Sequence, residues 1–223
     1  MNARRGRRHT FLTGLAIALS CALVACATTK VRLEPVPRTF TPQDYERIYK
    51  LWTRERDAFA WSRLTDVLSV TATFESWEFR TAYIVRYAED HGIDTVERDR
   101  LLEASLEDAR RVHRFFVTLI GPNFRESDLT AKRAAFRVLL VDDDDRGTPP
   151  ASIERIQRPT PAERVYFPSV SPLRMAFRIA FPAVREDGTE TIPRDAQRIR
   201  LRFTGASGRV DLVWEVDRAG EKK

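Results

Sequence analysis

Apolar positions along this chain follow several rhythms, and each predicts a different kind of segment. Phe11 to Ala25 is an almost unbroken apolar run, interrupted only by Thr13, Gly14, Ser20 and Cys21. Residues 26–40 have no periodicity, and Pro35 and Pro37 predict an extended tether of at most about 45–50 Å. At Thr41-Pro42 a helix start is expected, with threonine as N-cap and proline where no amide is needed. Tyr45, Ile48, Tyr49, Trp52 and Phe59 follow at helical spacing. The stretch Val67–Phe74 is β-rich and of ambiguous period. Ser76 to His91 predicts a second helix, with Phe79, Tyr83 and Tyr87 on one stripe and Gly92 as its C-cap. Asp94 with Glu97 starts a third, carrying Val96, Leu102, Leu106 and Ala109.

From Val112 the period changes to two. Phe116–Ile120, Phe136–Val141, Ser152–Ile156, Arg164–Phe167, Met175–Phe181, Ile199–Phe203 and Val210–Val216 read as strands separated by proline, glycine or acidic turns. The predicted fold class is α+β: a helical segment over 41–111, then an antiparallel immunoglobulin-like β-sandwich of about seven strands over 112–218. Residues 219–223 read as a disordered tail. The Cys–Trp–Cys core of immunoglobulin domains is missing, so that likeness is one of strand count.

The last two strands permit a register. With Gly205-Ala206-Ser207-Gly208 as a four-residue hairpin loop, Phe203 opposes Val210, Leu201 opposes Leu212 and Ile199 opposes Trp214 on a buried face. On the other face Arg202 meets Asp211 and Arg198 meets Glu215. A slip of one residue would destroy both sets at once.

The N-terminus changes the picture of the whole. Arg4, Arg5, Arg7 and Arg8 precede the first apolar run, with no acidic residue among them. A cationic flank, a short apolar stretch and small residues at its end are the layout of a secretory signal, here residues 1–25. Leu23-Val24-Ala25-Cys26 resembles the lipobox of bacterial lipoproteins. That resemblance implies a diacylglycerol thioether on Cys26, cleavage before it, and acylation of the new N-terminus with a fatty acid such as palmitate. Each buried methylene contributes about 0.8 kcal/mol, and two or three chains suffice for stable anchoring. Ala27 stands where an aspartate would resemble an inner-membrane retention signal, so the expected address is the inner leaflet of the outer membrane, facing the periplasm. Arg7-Arg8 resembles a twin-arginine motif, but Phe11-Leu12 stands one position late, and Sec export is the reading adopted.

Cleavage also removes most of the basic excess. The whole chain carries 38 basic and 32 acidic residues, a formal +6. Without the four signal arginines the balance is 34 to 32, which leaves nucleic-acid binding without its basic footprint. Cys26 is the only cysteine of the mature chain, so neither a disulfide framework nor a thiolate zinc site is expected.

Candidate chemistry is sparse. Arg198, Arg200 and Arg202 alternate as a phosphate- or lipopolysaccharide-binding stripe would, although a solvated, cross-strand-paired face explains them as well. Asp142 to Asp145 suggests calcium, but an EF-hand counted from Asp142 needs a glutamate where Ile153 stands. An acidic hairpin turn is the plainer reading. His91 and His113 lack the spacing of a zinc or catalytic set, and Glu75 and Glu78 are one of many carboxylate pairs. The sequence therefore predicts no catalytic residue, metal or cofactor. It predicts a membrane-tethered, non-catalytic interaction or assembly module with an envelope protein as partner. The alternative is an envelope hydrolase built on scattered carboxylates and His91 or His113.

Overall fold

The computed structural model describes residues 29–60, 65–121 and 124–217. Its elements are, in chain order, α1 (Asp44–Trp52), β1 (Thr53–Ala60), β2 (Thr65–Phe74), α2 (Trp77–His91), α3 (Thr95–Arg111), β3 (Val112–Ile120), β4 (Phe136–Val141), β5 (Gly147–Thr148), β6 (Ser152–Ile156), α4 (Pro161–Tyr166), β7 (Met175–Pro182), β8 (Arg198–Gly205) and β9 (Gly208–Glu215). The fold is a mixture of helices and two antiparallel sheets, ordered β1-β2-β3-β7-β6 and β5-β4-β8-β9.

The pattern of β3 explains the layering. Phe115 through Leu119 are all buried, which a strand achieves only when both its faces are covered. One face of the five-stranded sheet carries Phe115, whose ring lies 5.7 Å from that of Trp214 in β9. The other face carries Phe116, stacked 3.8 Å from Phe167 at the end of α4. Phe167 in turn meets Phe79 of α2 at 5.9 Å. The five-stranded sheet is thus the middle layer, with helices on one side and the four-stranded sheet on the other. β8 and β9 cover one face only, and their burial alternates accordingly.

The β8–β9 register is the expected one, from Arg198 opposite Glu215 to Phe203 opposite Val210. Gly205 and Gly208 are themselves paired, so the loop is Ala206-Ser207 alone. A Cβ at Gly205 would collide with the Ala135 carbonyl just before the neighbouring strand β4, which accounts for glycine there. The second helix is bounded as predicted: the Ser76 side chain accepts from the Phe79 amide, and Gly92 ends the helix at φ 62°. Asp94 caps α3 in the same way through the Glu97 amide.

Five expectations need correction. The first helix starts at Asp44 rather than at Pro42: Gln43 is its N-cap, no side chain caps it, and the Thr41 hydroxyl donates to the Asp44 carboxylate instead of accepting from an amide. The described residues form nine strands, seven of them within 112–217 and two before it, and the sheet order differs from that of an immunoglobulin sandwich. The segment 41–111 is not purely helical, because α1 stops at Trp52 and Thr53 turns extended at ψ 137°. From there β1 and β2 supply two of the five strands of the larger sheet; Thr53 and Thr73 share a side-chain hydrogen bond of 2.8 Å. Residues Arg164–Phe167 belong to α4 and its C-cap. Thr160 and Glu163 form a reciprocal capping box there, with bonds of 2.7 and 3.1 Å, and Pro161 opens the helix. Finally, the tether is not free throughout its length. Val31 is fully buried and bridges Val216 in parallel, with N–H to Glu215 O at 2.8 Å and its carbonyl accepting from Asp217 N–H at 2.7 Å. The expected signal segment, the lipobox-like motif with Cys26, and residues 218–223 lie outside the described residues.

Candidate functional site

Beyond Val31 the docked segment forms one wall of a cleft. β2 ends at Phe74, Ser76 caps α2, and Trp77 opens that helix. The last turns of α3 bring in Leu106, Ala109 and Arg110, and the chain enters β3 at Val112 and His113. Leu33, Glu34 and Pro35 of the docked segment close the near side, and Ile192 with Arg194 closes the far side. Together these residues enclose about 610 Å³, a size usual for a ligand pocket. A smaller hollow of about 290 Å³ lies across the same strap, between Val36, Asp195 and Val216.

The cleft lining is mainly apolar. His113 contacts the edge of Phe74 at 6.0 Å. Burial, with the Arg80 guanidinium adding repulsion, pushes its imidazolium pKa down to about 4, so the ring is neutral at neutral pH. Glu75 contributes to the lining, but chain alternation turns its side chain away from that of Phe74. Burial raises its pKa against the opposing pull of Arg80, Arg178 and Arg114. Trp77 lines the cleft with an indole N–H that has no acceptor. Arg110 and Arg194 stand at the mouth, with side chains 78% and 85% exposed.

Titration of His113 makes a prediction about stability. Its pKa is lower folded than unfolded, so between 6.5 and about 4 the unfolded chain holds the extra proton. The contribution is complete above pH 6.5 and lost as pH falls towards 4. Unfolding free energy should decline over this window by at most about 1.4 kcal/mol per pH unit. His113→Gln should flatten the profile in urea titrations from pH 7 to 4; an unchanged slope would remove His113 as its source.

The structure does not bring the two histidines together. Glu75 N–H donates to Arg114 O at 2.9 Å, which sets His113 beside the start of α2. His91 closes that 15-residue helix, about 22 Å away, where it stacks on Tyr87 at 4.0 Å. Glu78 is also occupied, accepting from Trp52 Nε1 at 2.8 Å and from Arg38 at 3.2 Å.

The acidic turn and the arginine stripe turn out to neutralise each other. Asp142 accepts from Arg185 at 2.7 Å and from the Asp144 and Arg146 amides at 3.1 and 2.8 Å. Asp143 meets Arg198 at 3.3 Å, and Asp145 meets Arg200 at 2.9 Å. Arg202 makes the expected pair with Asp211, through two bonds of 2.8 and 3.0 Å. Arg198 lies opposite Glu215 in register, yet its charge partner is Asp143. Among the described residues no group of three or more histidines, cysteines or carboxylates is placed to hold a metal ion.

The cleft escaped the sequence reading because its walls come from four separate stretches of chain. Only the Ser76 cap beside it left a local signal. Comparison with protein-family models, curated proteins and solved structures finds no match to this chain.

Proposed function

We propose that this chain is an envelope lipoprotein, acylated on Cys26, whose body is a non-catalytic binding module. It faces the periplasm from the inner leaflet of the outer membrane and holds an envelope partner close to that surface. The observation that carries this reading is the docking of Val31. It lies five positions from Cys26, a span of at most about 18 Å, far less than the whole tether would allow. An acyl group on Cys26 therefore keeps the body against the bilayer, and the strap that leaves Val31 runs directly into the cleft wall. Among the described residues no helix is long and apolar enough to cross a membrane, so attachment in this reading rests on the lipid.

Metabolic labelling with an alkyne-bearing palmitate tests the anchor. The full chain should take up label and sediment with membranes, and Cys26→Ser should lose both. Cross-linked pull-down from the same membranes should recover specific envelope proteins with the lipidated form only. Undiminished labelling of Cys26→Ser would refute the anchor. Turnover of a cell-wall or ester substrate by the purified protein would refute the non-catalytic role.

A further inference from the structure

We infer that the cleft between the strap, α2 and α3 binds an amphiphile with a single acyl chain and an anionic head group. This rests on the anchored, non-catalytic reading above and names the ligand class for its binding site.

Three features of the cleft point the same way. Leu33, Phe74, Leu106, Val112 and Ile192 offer an apolar lining in a space of about 610 Å³. Such a lining favours hydrocarbon by about 25 cal/mol for each square ångström removed from water. Arg110 and Arg194 flank the mouth, against Glu34 as the exposed carboxylate of the rim. Among the described residues each arginine is paired with an exposed carboxylate of its own stretch, Glu107 at 3.0 Å and Glu190 at 3.7 Å. Pairs of this kind are worth little, so both guanidiniums can turn to an arriving anion. The indole N–H of Trp77, one of the lining residues, is buried and has no acceptor among the described residues.

A peptide suits the cleft less well. The strands beside it, β2 and β3, are each paired on both sides and have no main-chain groups left for an added strand. The location suits an amphiphile, since Cys26 and Leu33 are seven residues apart, at most about 25 Å. On the anchored protein, the mouth stands within reach of the bilayer surface where acyl-chain amphiphiles reside.

The test uses the full chain in phosphatidylcholine vesicles with a diazirine-bearing palmitic acid, cross-linked by light and mapped by peptide mass spectrometry. The expected result is labelling of Leu33, Trp77 or Leu106 that unlabelled palmitate competes away. An alkyltrimethylammonium diazirine of the same length should label these residues at least fivefold less. The double variant Arg110→Glu, Arg194→Glu should lower palmitate labelling at least fivefold with an unchanged melting temperature, because both side chains are exposed. Equal labelling by the two probes would overturn the inference. So would cross-links confined to exposed Val165, Leu173 and Phe124 or to residues 11–25. Vesicle flotation of the same sample reports the anchor separately. A chain that floats with an unlabelled cleft refutes the ligand class alone. A chain that fails to float refutes the anchor, and its cleft labelling, scored in the unfloated fraction, still decides the ligand class.

Discussion

Trp214→Ala should lower the unfolding free energy by about 3–5 kcal/mol, the cost of emptying a fully buried large aromatic site. Trp214 has no exposed surface and opposes Ile199 within its own sheet. Its ring meets Phe115 of the other sheet, and its Nε1–H donates to the Trp52 carbonyl at 2.9 Å. That carbonyl ends α1 at the point where the chain becomes β1, so one side chain joins both sheets and the first helix. The Arg54 guanidinium lies 5.7 Å over the same ring and donates to Val213 O at 2.9 Å, closing the β1–β9 seam. Trp214→Phe keeps much of the apolar volume but leaves the Trp52 carbonyl without its donor, and should cost about 1–3 kcal/mol. Urea unfolding followed by circular dichroism measures both. A loss below about 1.5 kcal/mol for the alanine variant would mean that the sheets do not depend on this contact.

The second large effect is expected at Asp108. Arg80 is an almost fully buried guanidinium, its side chain 6% exposed. It donates to the carbonyls of Glu75 and Ser105 at 2.8 Å each and to Asp108 at 2.9 Å. Arg114 holds the same carboxylate through bonds of 2.7 and 2.8 Å. Asp108→Ala leaves a buried cation uncompensated and should cost about 3–5 kcal/mol. Arg80→Met, which removes the charge and keeps most of the volume, should cost less because Asp108 retains Arg114. If the two variants prove equally stable, the carboxylate is not what compensates Arg80.

Asp108 also contributes to the acid limit of the fold, beside other carboxylates held low by their partners. The Arg114 bonds, joined by those of Arg80 and opposed by burial, hold its pKa down to about 2 from 3.8. A carboxylate with a lowered folded pKa contributes fully above 3.8, and the contribution disappears as pH falls towards 2. Acid destabilisation should therefore deepen in two windows, the His113 window above about 4 and, below it, one that Asp108 shares with Asp44, Asp128 and Asp211, whose carboxyls their partners also hold low. Asp108→Ala should make the lower window shallower and leave the upper one unchanged.

Two of the three predicted helix N-caps were legible locally; the third, Thr41, is not a cap, since α1 starts after Gln43 with no side-chain cap. α2 and α3 begin at Ser76 and Asp94 because those side chains satisfy amides three residues on, an interaction contained within four residues. The β8–β9 register followed from two faces of one hairpin, each demanding the same alignment. Readings failed where a distant partner decided. β1, with Arg54, Glu55, Arg56 and Asp57 in its middle, has no hydrophobic face to announce a strand, and it extends because the edge of β2 is there to receive it. The capping box at Thr160 and Glu163 was itself legible, but the apolar Val165-Tyr166-Phe167 behind it matched a strand equally well. Burial of Tyr166 and Phe167 against the helices and the larger sheet settles that ambiguity.

The sequence by itself determined which segments cap, which turn and which alternate, and it carries a motif resembling a lipobox, on which the proposed anchor rests. All of these depend on residues at most a few positions apart, or on a short run whose composition is the signal. Only the tertiary structure decided that the larger sheet lies between helices and a second sheet. It alone turned the acidic turn and the arginine stripe into each other's counterions. It alone docked Val31 against Val216 and so made a strap and a cleft from what reads as a plain tether. Those outcomes depend on contacts between residues as much as 185 positions apart, where no local pattern records which surfaces will meet.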